Sequence, residues 1–292
     1  MWHHLATTQE AEILFPQPSC IFCQAEMLFC PVKNCWELDE KEIRREHDFR
    51  SHQNAIYADP SFLLHRPIIS APEIVGVAFH CCPVCGWWCV VREIQYETPV
   101  KAYSAYQWAA GALTSALPPS IDSPIDEVRK HLCIRYGDRF SIEPYQFEKV
   151  VASILKSYAL DVQITSRSND GGLDVIGMDC SGDAFGVQVK RYRGVIKIEQ
   201  LRSFVGALVL QGFPQGMFVT TSDFPAGANS VCKKAELKGI KLSLMNSEKL
   251  LEMLKVAQIK DFDKAQLPEL AVSSSERIKT LNYGYSHHIG SL

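Results

Sequence analysis

Three polar residues in the second half of the chain have the types and spacing to hold a cation beside a phosphate. Asp174 lies in one predicted strand, and Gln188 and Lys190 lie in the next. Because side chains alternate across a strand, Gln188 and Lys190 share one face while Val187 and Val189 occupy the other. Mg²⁺ prefers oxygen ligands, keeps several waters and binds through few carboxylates together with substrate phosphate oxygens. A carboxylate, an amide oxygen and a neighbouring ammonium that meet at one point therefore suit a divalent cation and a phosphate.

On spacing alone, an ordinary solvated strand face explains these residues better than a cation site does, so the surrounding sequence has to decide. Gly171 and Gly172 allow a tight turn just before Asp174 and leave room for a large substrate. Glu148, on the polar face of an amphipathic helix, is positioned to reach the same site. Basic residues also concentrate near these strands: Arg167, Lys190, Arg191, Arg193 and Lys197. We therefore favour a site that meets a polyanion.

Cysteines dominate the first third of the chain and indicate a second metal site. Eight of the 11 cysteines lie between Cys20 and Cys89. Two Cys-x2-Cys pairs, Cys20 with Cys23 and Cys82 with Cys85, together predict a tetrahedral Zn²⁺ site of four thiolates with a structural role. An unmetallated cluster of buried cysteines is the alternative. Four further cysteines compete as ligands: Cys30, Cys35, Cys81 and Cys89, of which we assign the last two to core packing.

Composition shifts divide the chain into segments. We predict a Cys-rich zinc-ribbon-like module over 1–113, a Pro- and Ser-rich linker over 114–125, a catalytic domain over 126–258 and a loosely ordered tail over 259–292. Within the catalytic domain the pattern predicts a helix, three strands, and then helices alternating with strands. That order predicts an α/β domain with a mixed sheet flanked by helices. The predicted elements are Pro144–Tyr158, Asp161–Arg167, Leu173–Met178, Ala184–Arg191, Lys197–Gln211, Gly216–Thr221, Gly227–Lys238, Ile240–Leu244 and Ser247–Ala257.

The charge distribution is uneven. The whole chain has a net charge of −3, but residues 1–125 carry −6 and residues 126–256 carry +3. The second segment is thus the better candidate to contact nucleic acid. No run approaches the roughly 18 apolar residues of a membrane span, and the N-terminus lacks a signal-peptide pattern. We therefore expect a cytoplasmic protein, in which metal binding explains the cysteines better than disulfides do.

A family resemblance sharpens this prediction. The run Arg167-Ser-x-Asp170-Gly-Gly-x-Asp174, followed by Val187-Gln-Val-Lys-Arg-Tyr192, resembles the Mrr-type restriction endonucleases of the PD-(D/E)xK superfamily, with glutamine in the second acidic position. The similarity covers roughly residues 140–256 and includes Leu201–Ala207 and Gly216–Ser222.

The resemblance implies a restriction-endonuclease-like fold and a Mg²⁺-dependent endonuclease that hydrolyses phosphodiester bonds of double-stranded DNA. It implies Asp174 and Gln188 as ligands of Mg²⁺, Lys190 as the catalytic lysine and Glu148 as an auxiliary acid. Asp170 belongs to the motif, and we interpret it as structural. Cleavage of both strands further implies a homodimer on DNA.

Three questions stay open at this point. A repair or recombination nuclease of the same fold fits the motif, and so does a non-catalytic DNA-binding protein with a degenerate site, because Gln188 replaces an acid. The N-terminal module is a candidate for target recognition. Trp87, Trp88 and Trp108 are available to stack on a base, but we assign two or more of them to packing. Thr220, Thr221 and Ser222 either donate hydrogen bonds to phosphates or form a capping turn, and we favour the turn.

Overall fold

The computed structural model describes residues 2–6, 19–31, 73–97, 102–112, 119–165 and 171–279 of the chain. Residue contacts divide the chain into two units. The first comprises residues 1–113 together with 263–292, and the second comprises residues 114–262. The catalytic residues predicted from the sequence all fall in the second unit.

The first unit contains an antiparallel sheet of five strands, in the order β1-β5-β4-β3-β2. Its strands are β1 (Trp2–Ala6), β2 (Leu28–Pro31), β3 (Glu73–Cys81), β4 (Trp87–Glu97) and β5 (Ala102–Ala112). The turn between β3 and β4 carries Cys82 and Cys85, and the turn before β2 carries Cys20 and Cys23. The sheet thus brings the two cysteine pairs together although they are far apart in sequence, because β2 pairs with β3.

The second unit alternates helices and strands around a second five-stranded sheet. Its helices are α1 (Ile125–Ile134), α2 (Pro144–Ser157), α3 (Ile198–Gln211), α4 (Ala228–Glu236) and α5 (Ser247–Asp261), with a 3-10 turn over Tyr136–Phe140. Its strands are β6 (Asp161–Ile164), β7 (Val175–Met178), β8 (Ala184–Lys190), β9 (Gln215–Thr220) and β10 (Lys241–Met245). None of the helices in the described part of the chain is long and apolar enough to cross a membrane.

The strand order β10-β9-β8-β7-β6 makes this a mixed sheet. Strands β6, β7 and β8 run antiparallel as a meander, and β8, β9 and β10 run parallel, joined by α3 and α4. Helices α1, α2 and α5 pack against one another, and α3 packs against α4. On the α3 side the core includes Phe204 and Phe218. Their rings pack edge to face, with 5.4 Å between the ring centroids. The predicted α/β fold with a mixed sheet flanked by helices is confirmed.

The prediction of a loosely ordered tail after Lys260 was wrong for residues 260–279. Helix α5 continues to Asp261, and after a short 3-10 turn over Lys264–Gln266 the chain forms helix α6 (Leu267–Lys279). The reason lies in a helical spacing that the sequence analysis overlooked. Leu267, Ala271 and Ser274 recur at intervals of four and three residues, and all three are buried.

Candidate functional site

Strand β8 presents its polar residues on one face. Val187 is 0% exposed and Val189 is 8% exposed. Gln188, which lies between the two valines, and Lys190, which follows them, are half-buried. This is the alternation predicted from the sequence, and its cause is the two-residue repeat of an extended strand. Gln188 and Lys190 therefore lie on the same face, close to the end of β8.

Asp174 lies beside Gln188, immediately before β7. Its backbone N–H donates to the carbonyl of Val187 at 2.8 Å, and its Oδ2 accepts from the backbone N–H of Val189 at 2.6 Å. The aspartate thus contacts the main chain on both sides of Gln188. A short hydrogen bond from an amide to a carboxylate fixes the direction of that carboxylate. The structure therefore brings Asp174 and the Gln188–Lys190 stretch together.

The chemistry of these groups fits a hard divalent cation. Asp174 and Gln188 both offer oxygen atoms, and neither thiol nor imidazole stands among the residues predicted for this site. Two protein ligands leave most of an octahedral shell to water and substrate phosphate, which is the usual arrangement around Mg²⁺. One carboxylate and one amide also give a low ligand charge, so phosphate oxygens would add much of the negative charge.

Glu148 lies on α2, which packs against β6. The helix begins as the sequence predicts, with Pro144 in its first turn, and the Glu143 side chain caps it by accepting from the N–H of Gln146 at 2.9 Å. Phe147 is buried and Glu148, one residue further, is half-buried. Its role as an auxiliary acid stays a prediction.

Thr220 and Thr221, at the end of β9, point into the protein. Both are fully buried. The Thr220 hydroxyl donates to the carbonyl of Lys190 at 3.1 Å, and the Thr221 hydroxyl donates to the carbonyl of Tyr192 at 2.9 Å. Burial removes both hydroxyls from any phosphate, so the phosphate-binding alternative is wrong for these two residues. The capping alternative is wrong as well, because both hydroxyls bond to the end of β8 and the following helix has Gly227 as its N-cap without a side-chain cap.

Arginine side chains gather around Phe140 next to this strand end. The guanidinium of Arg139 lies 4.2 Å from the Phe140 ring centroid, and that of Arg193 lies 4.5 Å from it. Arg191 donates from Nη1 to the carbonyl of Phe140. Arg191 and Arg193 were expected from the sequence, but Arg139 was not, because it lies about 45 residues before β8 and no repeat links the two. Arg167 and Asp170 lie outside the described residues.

In the first unit, the four predicted zinc ligands form one compact group. The Sγ atoms of Cys20, Cys23, Cys82 and Cys85 all lie within 4.8 Å of one another, and all four residues are buried. Cys20 and Cys85 are 3.5 Å apart, and Cys23 and Cys82 are 3.4 Å apart. In a tetrahedral site with Zn–S bonds of about 2.3 Å, sulfur atoms stand about 3.8 Å apart. The cluster therefore has the size and donor set of a closed zinc site.

Both cysteine turns have the same backbone geometry. The N–H of Cys20 donates to the carbonyl of Ala25 at 2.7 Å, and in the other turn the N–H of Cys82 donates to Trp87 at 2.7 Å. Left-handed backbone conformations also occur at matching positions, with φ of 61° at Gln24 and 76° at Gly86. Two equivalent turns that each present two thiols are typical of paired zinc knuckles.

Hydrogen bonds among the four thiols shift their pKa values in opposite directions. Hydrogen bonds from the other three thiols hold the pKa of Cys20 far below that of an ordinary thiol, while Cys20 in turn raises the pKa of Cys85. A divalent cation that bound here would replace the thiol protons, because thiols must lose their protons to bind a metal.

The neighbouring cysteines and aromatic residues pack as core. Cys81 is buried and donates from Sγ to the carbonyl of Cys82 at 3.8 Å, and burial raises the pKa of Cys89 to about 12, with smaller contributions from Cys81 and Cys20. Neither residue, nor Cys30, belongs to the four-thiol group. Trp87 and Trp88 are buried, which confirms packing rather than base stacking for both. Cys35 and the side chain of Trp108 lie outside the described part of the chain.

Comparison with known proteins identifies the second unit. The family described as restriction endonuclease, in its Mrr catalytic form, matches residues 140–254. This segment matches the catalytic domain of the Mrr-type restriction endonucleases. A curated relative, the "Type IV methyl-directed restriction enzyme EcoKMrr" of Escherichia coli (strain K12), is 30% identical over 149 residues, which is 49% of this chain and 45% of the relative. The chain thus matches somewhat less than half the length of that relative.

Two solved structures show a distant similarity to this chain. The DNA-bound ATP-dependent Type ISP restriction-modification enzyme LlaBIII is 24% identical, with 40% of this chain and 8% of that chain covered at a TM-score of 0.31. The MspJI restriction endonuclease in complex with a 27-mer oligonucleotide is 19% identical, with 61% and 42% covered at a TM-score of 0.31. Alignments at these scores add nothing to the assignment of individual residues.

Proposed function

We propose that this protein is a metal-dependent DNA endonuclease that hydrolyses phosphodiester bonds in a restriction system. The observation that carries the proposal is the hydrogen bond from the Val189 N–H to the Asp174 carboxylate. Val189 lies between Gln188 and Lys190 at the end of β8, so this bond fixes the carboxylate next to both side chains. This arrangement occurs in a domain that matches the Mrr-type restriction endonucleases.

In this proposal Asp174 and Gln188 hold Mg²⁺ through their side-chain oxygens. When bound, the cation stabilises the charge that develops on the phosphoryl oxygens. The Lys190 ammonium group holds a water molecule in line with the scissile bond, and it also binds an oxygen of the phosphate. Glu148 adds negative charge that compensates for the neutral amide of Gln188.

The four cysteines of the first unit are proposed to bind Zn²⁺ in a structural role. The donor set is complete with four thiols, which leaves no position for substrate. Together with the β2–β3 pairing, the ion would connect two segments that are separated by some 60 residues of sequence. The five-stranded sheet around it is our candidate for target recognition.

Double-stranded DNA is the proposed substrate, and the proposed active form is a homodimer in the cytoplasm. Each chain provides one set of Asp174, Gln188 and Lys190, so cleavage of both strands requires two chains. A role in restriction is favoured over repair because the curated relative is itself a methyl-directed restriction enzyme.

Plasmid cleavage tests the proposal directly. We expect the full-length protein to cut or nick plasmid DNA when Mg²⁺ is present and to leave it intact in EDTA. A comparison of unmethylated plasmid with plasmid from a methylating host separates restriction from repair, because a repair nuclease would cut both equally. Absence of metal-dependent cleavage on both plasmids would instead favour a non-catalytic DNA-binding protein with a degenerate site.

A further inference from the structure

The parallel strands β8 and β9 end in a set of hydrogen bonds centred on Lys190. The backbone carbonyl of Lys190 accepts from the Thr220 hydroxyl at 3.1 Å and from the Thr221 N–H at 3.2 Å. Two donors on one carbonyl fix the peptide from which the Lys190 side chain extends. This is more than the ladder of a parallel pair requires, because such a ladder supplies one donor per carbonyl.

The hydroxyl of Thr221 holds the backbone of Tyr192, two residues after Lys190. It accepts from the N–H of Tyr192 at 2.8 Å and donates to the carbonyl of the same residue at 2.9 Å. Thr221 is 0% exposed, so water does not replace these bonds. The backbone is therefore held on both sides of Arg191, and Lys190 has little freedom to shift along the strand.

The Arg139 side chain holds the backbone of Thr221 in place. Its Nε donates to the Thr221 carbonyl at 3.1 Å, and its Nη1 donates to the Tyr136 carbonyl at 2.9 Å. The guanidinium also lies over the rings of Tyr136 and Phe140, at 4.6 and 4.2 Å from their centroids. The planar fork of an arginine matches two carbonyls and two rings at once, which a lysine ammonium cannot do.

The 3-10 turn that carries Arg139 thus contacts both strand ends. Arg139 reaches the end of β9, and Arg191, next to Lys190, donates to the carbonyl of Phe140 in the same turn. The Tyr136 hydroxyl fixes the turn to the start of α5 by donating to the Ser247 carbonyl at 2.9 Å.

We propose that Arg139 and Thr221 are positioning residues for Lys190, which set the placement of its ammonium group without contacting substrate. The inference rests on the proposed nuclease function. Its physical basis is that a displacement of about 1 Å in a catalytic group can lower a rate about a hundredfold. Asp174 is held by its own bonds to β8, from the Val189 N–H and to the Val187 carbonyl, and Gln188 pairs with Phe218 in the β8–β9 ladder, so the metal ligands should stay in place when the support of Lys190 is removed.

Single-turnover cleavage with Mg²⁺ tests this role in the full-length protein. We expect Arg139→Ala and Thr221→Val each to lower the cleavage rate constant by about 30- to 100-fold. The dissociation constant for DNA, measured in Ca²⁺, and the half-saturating Mg²⁺ concentration should stay within about twofold of wild type. Thr221→Ser keeps the hydroxyl and should retain at least about half of the rate. Arg135→Ala removes a charge from an exposed position just before the turn and should not change the rate.

The outcomes separate this inference from the proposed function. If the wild type does not cleave DNA, the proposed function fails. If the wild type cleaves and Lys190→Ala does not, while Arg139→Ala and Thr221→Val keep the full rate, only the positioning role is overturned. A parallel loss of DNA affinity, Mg²⁺ dependence and rate would show that the whole site is disrupted and would also overturn the positioning role.

If Arg139→Ala is unfolded, which circular dichroism at 222 nm would show, the comparison of Thr221→Val with Thr221→Ser decides. If Thr221→Val is unfolded as well, the bonds serve folding alone and the inference is wrong.

Discussion

Replacement of Lys190 with alanine is expected to lower the rate of DNA cleavage by about a thousandfold, because an aligned acid–base group contributes about 10²- to 10⁴-fold. The change removes the ammonium group that aligns water with the scissile phosphate. The backbone bonds that Thr220 and Thr221 make to residue 190 involve only its main chain and should survive the change. DNA affinity in Ca²⁺ should fall only slightly, since one phosphate contact is lost among many.

Single-turnover kinetics on a supercoiled plasmid, with DNA binding measured in parallel, check this prediction. Lys156→Ala is a matched control, because Lys156 is an exposed lysine in the last turn of α2. Cleavage by Lys190→Ala at a rate close to that of wild type would remove the lysine from the mechanism.

Loss of one cysteine from the four-thiol group is expected to release the metal and disrupt the first unit. Outer-shell changes alone cost about 10- to 100-fold in metal affinity, so removal of a direct ligand by Cys82→Ser should lower zinc affinity at least about a hundredfold. Structural zinc contributes roughly 10–16 kcal/mol of apparent binding free energy in zinc-finger peptides, and this energy is coupled to folding. The part of the sheet next to the cluster, where β2, β3 and β4 meet the cysteine turns, should therefore open when the ion is lost.

The distribution of tryptophan makes this effect easy to measure. All five tryptophans occur within residues 1–113, and Trp88 is completely buried beside Phe79. Metal analysis of the purified protein should find about one zinc per chain, and Cys82→Ser should lose it and shift the tryptophan emission to the red. Helical circular dichroism should change little, because five of the six α-helices in the described residues belong to the second unit.

Cys180→Ser is the matched control, because Cys180 is exposed in the loop between β7 and β8. It should retain the zinc and the blue-shifted emission. A wild-type protein that contains no zinc, together with unchanged emission in Cys82→Ser, would show that the four thiols are only a buried cluster.

Some parts of this structure follow directly from sequence patterns. The alternation of Val187, Gln188, Val189 and Lys190 follows from the two-residue period of a strand, and the packing of α2 follows from apolar residues at helical spacing. The paired cysteines predict their cluster because each Cys-x2-Cys turn presents two thiols in one direction. These signals are local, so a single sequence contains them.

Other parts depend on contacts between distant residues, for which the sequence has no periodic signal. The bond from Arg139 to the Thr221 carbonyl joins residues 82 positions apart and involves a backbone atom that every residue possesses. The bond from Val189 to the Asp174 carboxylate likewise depends on how β7 meets β8. Helix α6 was missed for a different reason: its buried side includes Ser274 and Ala271, which carry little hydrophobic signal.

The most direct test of the central claim is to locate a cation next to Asp174. Crystals of the protein grown with DNA and Mn²⁺, which shares the oxygen ligands of Mg²⁺, would show the ion by anomalous scattering. We predict one peak at about 2.0–2.3 Å from side-chain oxygens of both Asp174 and Gln188, with the peak lost in Asp174→Ala. A cation bound elsewhere while the protein still cleaves DNA, or an unchanged peak in Asp174→Ala, would contradict the account.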